Sequence, residues 1–141
     1  MVHAKTELLE KVQTAYNTAI RNLPAGSVPQ LKDIMPHLDV NCSQYVILAC
    51  TKELGLAVNI QVTKSGKHLL EDRVPGHIQK VYDLIEKRYN ETGLCLSMRD
   101  IQNQLGMSLS TIQNDLLYLA VTGKVDYYHR GCRTIRPVIK Q

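Results

Sequence analysis

Ser108, Ser110, Thr111, Gln113 and Asn114 bring hydroxyl and amide side chains together in one short stretch of chain. Gln and Asn amides set a donor beside an acceptor, which matches the edge adenine shows at N6 and N7, and hydroxyls suit phosphates or either base. An ordinary solvated helix face carries the same residue types, so their meaning depends on the segment that holds them. A second cluster is basic. From Lys124 onward, Lys124, Arg130, Arg133, Arg136 and Lys140 stand against the single acid Asp126, with His129 among them. Such a cluster is the electrostatic footprint of a phosphate-binding surface, and charge alone fits a solubilising tail equally well.

Catalytic chemistry finds less support. His3, His37, His68, His77 and His129 stand apart, without the i, i+4 or His-Cys spacing of metal ligands, and no glycine-rich phosphate loop or paired-carboxylate motif is visible. The expectation is a chain that is not an enzyme and holds no metal or cofactor. Cys42, Cys50, Cys95 and Cys132 are widely and irregularly spaced with no C-x-x-C pair, which fits reduced thiols. Cys132, near Arg130 and Arg133, has the flanking charge of an oxidant sensor but no resolving cysteine nearby, so a plain thiol is the favoured reading.

The 141 residues, 44% hydrophobic, suffice for one domain or two small ones. The longest apolar run, Tyr45 to Cys50, falls far short of the roughly 20 residues of a membrane span, and the N-terminus lacks the pattern of a signal peptide. We expect a cytoplasmic protein without membrane attachment, nucleoid-associated if bacterial. The net charge of +4 is uneven: residues 1–73 carry eight basic and seven acidic groups, and residues 74–141 carry nine and six.

The elements that must position the two clusters follow from periodicity. Glu71-Asp72-Arg73-Val74-Pro75-Gly76 reads as a linker. Before it, Leu8, Leu9, Val12, Tyr16, Ala19 and Ile20 mark one helix, about Pro29 to Leu38 a second, Tyr45 to Leu54 a third, and Leu56 to Val62 a strand that turns at Lys64-Ser65-Gly66. After it, Ile78 to Tyr89 forms a helix, Ser97 and Asp100 resemble a capping box opening another that stops at Gly106, and a third spans Leu109 to Val121. A strand over 124–128, a turn at His129-Arg130-Gly131 and a return strand over 132–138 complete the half. Leu31-Lys32-Asp33-Ile34 and Met98-Arg99-Asp100-Ile101 hold corresponding places. The fold class expected is therefore mostly α with small β-hairpins, an α+β chain of tandem winged-helix-like units. Its domains would be 1–73, for packing or dimerisation, and 74–141, for DNA binding.

Three short helices followed by a hairpin make a winged helix-turn-helix, whose third helix enters the major groove. With Ile112 at the centre of the buried face of that helix, Leu116 and Leu119 fall within about 40° of it. Residues 78–136 resemble the DNA-binding domain of LexA-type repressors, including the Tyr89-Asn90-Glu91-Thr92-Gly93 turn and an Arg130-Gly131-Cys132-Arg133 wing. The Ser110-Thr111-Ile112 and Asp115-Leu116 core equally resembles the DeoR-like pattern, which usually has two arginines where Gln113 and Asn114 stand. The resemblance implies a sequence-specific regulator of transcription, a repressor that binds double-stranded DNA. It would use Ser108, Ser110, Thr111, Gln113 and Asn114 at or near the groove and Arg130 and Arg133 at the wing, and the basic cluster adds Lys124, His129 and Arg136 as DNA-binding candidates. In LexA-type repressors a self-cleaving domain follows the winged helix, whereas Ala25-Gly26 precedes it and reads as a turn with no cleavage role.

The run Tyr45 to Cys50 is apolar all round, which predicts a helix buried on every side, against the second half or another copy of the chain. Leu117 and Val121 also need cover on the side away from Ile112. A homodimer on a palindromic site is expected. The alternative is a winged-helix protein-interaction module in a larger nucleic-acid-processing assembly, such as one of replication.

Overall fold

In the computed structural model of the chain, residues 2–40, 42–59, 75–129 and 135–138 are described. The protein is mostly helical and divides into two compact units, Met1–Glu7 with Pro75–Gln141, and Leu8–Val74. No helix among the described residues is long and apolar enough to cross a membrane.

In the unit Leu8–Val74, helix α1 (Ala4–Arg21, begun in the other unit) buries Leu8, Val12, Ala15, Tyr16 and Ala19 at helical spacing. The second helix is shorter than its periodicity suggests. Helix α2 (Leu31–Ile34) gives way to a 3-10 turn at Met35–His37, because Pro36 has no N–H with which to continue an α-helical ladder. Helix α3 (Gln44–Leu54) ends at Gly55, whose φ of 70° is the left-handed geometry that glycine adopts without strain.

Two expectations for this half change. Residues 56–59 form no strand: the Ala57 carbonyl accepts the Tyr16 hydroxyl at 2.7 Å, and the Asn59 N–H donates to the Pro29 carbonyl at 2.8 Å, so their polar groups are directed away from a ladder. The rest of the expected strand and its turn, 60–66, lie outside the described residues. Nor is α3 buried on every side. Val46, Ile47, Leu48 and Cys50 are buried, but Tyr45 and Ala49, four residues apart on one face, are half-exposed, and Lys52 and Glu53 reach solvent.

In the other unit, α4 (His77–Thr92), α5 (Met98–Leu105) and α6 (Leu109–Val121) are followed by β2 (Val125–Asp126), β3 (Tyr128–His129) and β4 (Arg136–Pro137). Helix α4 presents Ile78, Val81 and Ile85 to the core, and α6 packs against α4, α5 and β2. The expected strand over 124–128 is broken at Tyr127. On one side of the break β2 pairs antiparallel with β4, Val125 opposite Pro137; on the other, β3 pairs with β1 (Val2–His3), Val2 opposite His129. The Ala4 N–H continues that attachment with a 2.9 Å bond to the Tyr127 carbonyl. Residues 1–7 therefore group with 75–141 rather than with the first half. Leu96 and Ile135 exchange backbone bonds of 3.2 and 3.3 Å, which ties the approach to α5 to the approach to β4.

Candidate nucleic-acid interface

Local chemistry fixes where α5 and α6 begin. The Ser97 hydroxyl accepts the Asp100 N–H and the Asp100 carboxylate accepts the Ser97 N–H, each at 3.1 Å, which satisfies two donors the helix end would otherwise leave open. The same device opens α2, where the Asp33 carboxylate accepts the Gln30 N–H at 2.9 Å. Helix α5 closes on Gly106 at a φ of 68°. Ser108 then caps α6: its hydroxyl accepts the Thr111 N–H at 3.3 Å and bonds the Thr111 hydroxyl at 2.8 Å.

Along α6, exposure changes abruptly. Ile112 and Leu116 are wholly buried, and beyond them Leu117, Leu119, Ala120 and Val121 are all 4% exposed or less. Leu117 and Val121 thus have their cover. Ser108, Leu109 and Ser110 are exposed, and Thr111, Gln113 and Asn114 half-exposed. The helix is embedded over its C-terminal half and offers its N-terminal turn and a half to solvent, with the positive end of its dipole outward.

The two amides are already engaged. Gln113 Oε1 accepts the Tyr127 hydroxyl at 2.7 Å, and Asn114 Nδ2 donates to the Ser110 carbonyl at 3.0 Å. The Gln113 oxygen keeps a second lone pair and Nε2 keeps its donors, so a bidentate grip on adenine would share Oε1 with Tyr127. Tyr127 is 6% exposed, and its hydroxyl also lies 3.5 Å from Met98 Sδ. Burial pushes its phenol above the usual range despite the opposing effect of Gln113. Tyr127→Phe is expected to cost about 1 kcal/mol, the net value of one neutral hydrogen bond. Urea unfolding measures it, and an unchanged midpoint would show that the Gln113 bond adds nothing.

Of the basic residues read from the sequence, Lys124 is exposed, with Nζ 5.8 Å from the centre of the Tyr82 ring. The backbone of His129 lies in β3 and that of Arg136 in β4, opposite Asp126. Arg130 and Arg133, like Cys132, lie outside the described residues.

Sequence reasoning missed a hydrogen bond to a buried carboxylate. Asp115 is 0% exposed, and its Oδ2 lies 2.6 Å from Nδ1 of His77, the first residue of α4. A signal existed: at 100° per residue Asp115 falls about 60° from Ile112, on the buried face, where a carboxylate must find donors. Arg99, exposed on α5, and Leu109 were also passed over. Among the described residues no group of three or more His, Cys, Asp or Glu side chains is placed to hold a metal ion.

Fold and site together define a mostly helical protein that projects the first turn of one embedded helix, with Ser108 and Ser110 exposed on it. No family model, curated protein or solved structure matches the chain.

Proposed function

We propose that the chain is a sequence-specific double-stranded DNA-binding regulator of transcription, a repressor. Residues 78–136 act as a winged helix-turn-helix of the LexA-like or DeoR-like kind, with the N-terminal turn of α6 in the major groove and β2 to β4 beside the phosphate backbone. The observation that carries this reading is the disposition of charge. Among the described residues after Gly93, every carboxylate is engaged by the fold: Asp100 in its capping box, Asp115 with His77, and Asp126 with His3 Nε2 at 3.4 Å. Arg99 and Lys124 are exposed on the same stretch. A surface whose acids have partners within the fold, and which exposes serines, a helix N-terminus and cations, suits a polyanion.

Half-sites read by two copies would make the site palindromic. Because Val46, Ile47, Leu48 and Cys50 are already buried in a single chain, the homodimer rests on the geometry of DNA rather than on α3. Sedimentation of free and DNA-bound protein decides it: a monomer in both refutes the dimer.

Selection of binding sites from random duplex DNA tests the function, and an enriched motif is expected. Replacing Arg130 and Arg133 together by Ala should then flatten the salt dependence of binding, by a slope of about 0.9 for each phosphate that the variant no longer neutralises. An unchanged slope would remove these arginines from the interface. The engaged amides and the 54% exposure of Leu94 favour the second reading, a protein-interaction module in a nucleic-acid-processing assembly. Failure to enrich any sequence would select it.

A further inference from the structure

The amides of α6 were the natural base readers, yet both are bonded within the fold. What the projecting turn offers without such a commitment is Leu109. Its side chain is 39% exposed, whereas every other leucine, isoleucine or valine of α6 is 4% exposed or less. By helical position it lies about 60° from Ile112 and would join the buried stripe if the packed surface extended that far. Instead it is flanked by the exposed Ser108 and Ser110. An apolar side chain between two exposed serines has a complement on duplex DNA. The 5-methyl group of thymine is the one apolar feature that base edges present in the major groove.

We infer that Leu109 reads thymine through its methyl group, so that specificity at one base pair comes from apolar contact rather than from an amide. The inference rests on the DNA-binding reading above. The Ser110 hydroxyl approaches phosphate beside Leu109, while the Ser108 hydroxyl stays in its cap with Thr111 and Gln113 stays with Tyr127.

The test uses the full-length chain and duplexes that it enriches from a random pool, re-made with deoxyuridine in place of thymidine at one position at a time. That change removes the methyl group and leaves base pairing intact. Wild-type protein is expected to bind about fourfold more weakly at one such position, the effect of uncovering one methyl group. Leu109→Ser should bind the thymidine duplex about fourfold more weakly and show no further loss with deoxyuridine, while Leu109→Met keeps the discrimination. Matching thermal melts establish that the variants are folded. If no deoxyuridine duplex is weakened, or if Leu109→Ser retains the full penalty, another feature reads that base pair and the inference fails while the DNA-binding reading stands. If no duplex is enriched at all, both fall together.

Discussion

His77→Ala is expected to destabilise the protein by about 2 to 3 kcal/mol, the size of a hydrogen bond to a charged group at a buried acceptor. Asp115 is 0% exposed, and the His77 ring nitrogen at 2.6 Å is a donor it cannot replace with bulk water. The side chain of His77 is 36% exposed, so water softens the loss on the histidine side only. The two residues come from the first turn of α4 and the middle of α6. Their bond holds α6 where its embedded half meets its projecting turn. Urea unfolding of His77→Ala, Asp115→Ala and the double variant measures the link. The double variant should lose less than the sum of the singles, by about 1 to 3 kcal/mol, as directly bonded residues do. Strict additivity would show that the pair is adjacent without being coupled.

That pair also marks the limit of what could be read in advance. The stop of α3 at Gly55, the box at Ser97 and Asp100 and the span of α6 were legible because each is decided by residues within a turn or two of one another. His77 and Asp115 are 38 positions apart, and nothing local to either names the other. The pairing of Val2 and His3 with β3 was hidden for a different reason: a two-residue strand has no alternation to detect. At Leu56 the periodicity of a strand was present, but the Tyr16 hydroxyl and the Pro29 carbonyl claimed polar groups a ladder would have used. The site divides along the same line. That Ser108, Ser110 and Thr111 stand near solvent followed from helical phase alone. That Gln113 is held by Tyr127 did not, because it depends on where the chain goes after α6.

Stability should also fall steeply above pH 9, and α3 predicts which residue contributes most. Burial is the main cause pushing the Cys50 thiol up to about 12, with the neighbouring Cys42 and Glu53 acting in the same direction. Burial likewise raises Cys42, against the opposing pull of Lys11. An acid whose pKa is raised on folding keeps its proton longer in the native state than in the unfolded chain. The stability it contributes is complete below the unfolded value of 9.0 and is lost as pH rises toward the folded value of about 12. Across that window one such thiol can remove up to about 1.4 kcal/mol for each pH unit. Cys50→Ala, in which nothing ionises at that position, should therefore lose stability less steeply than wild type between pH 9 and 12, whatever its offset at neutral pH. The difference in slope, read from urea unfolding at a series of alkaline pH values, isolates Cys50 from the lysines and tyrosines that titrate in both proteins. Parallel curves would mean that the thiolate finds water in the native state, and that α3 opens at this point more readily than a 0% exposed side chain implies.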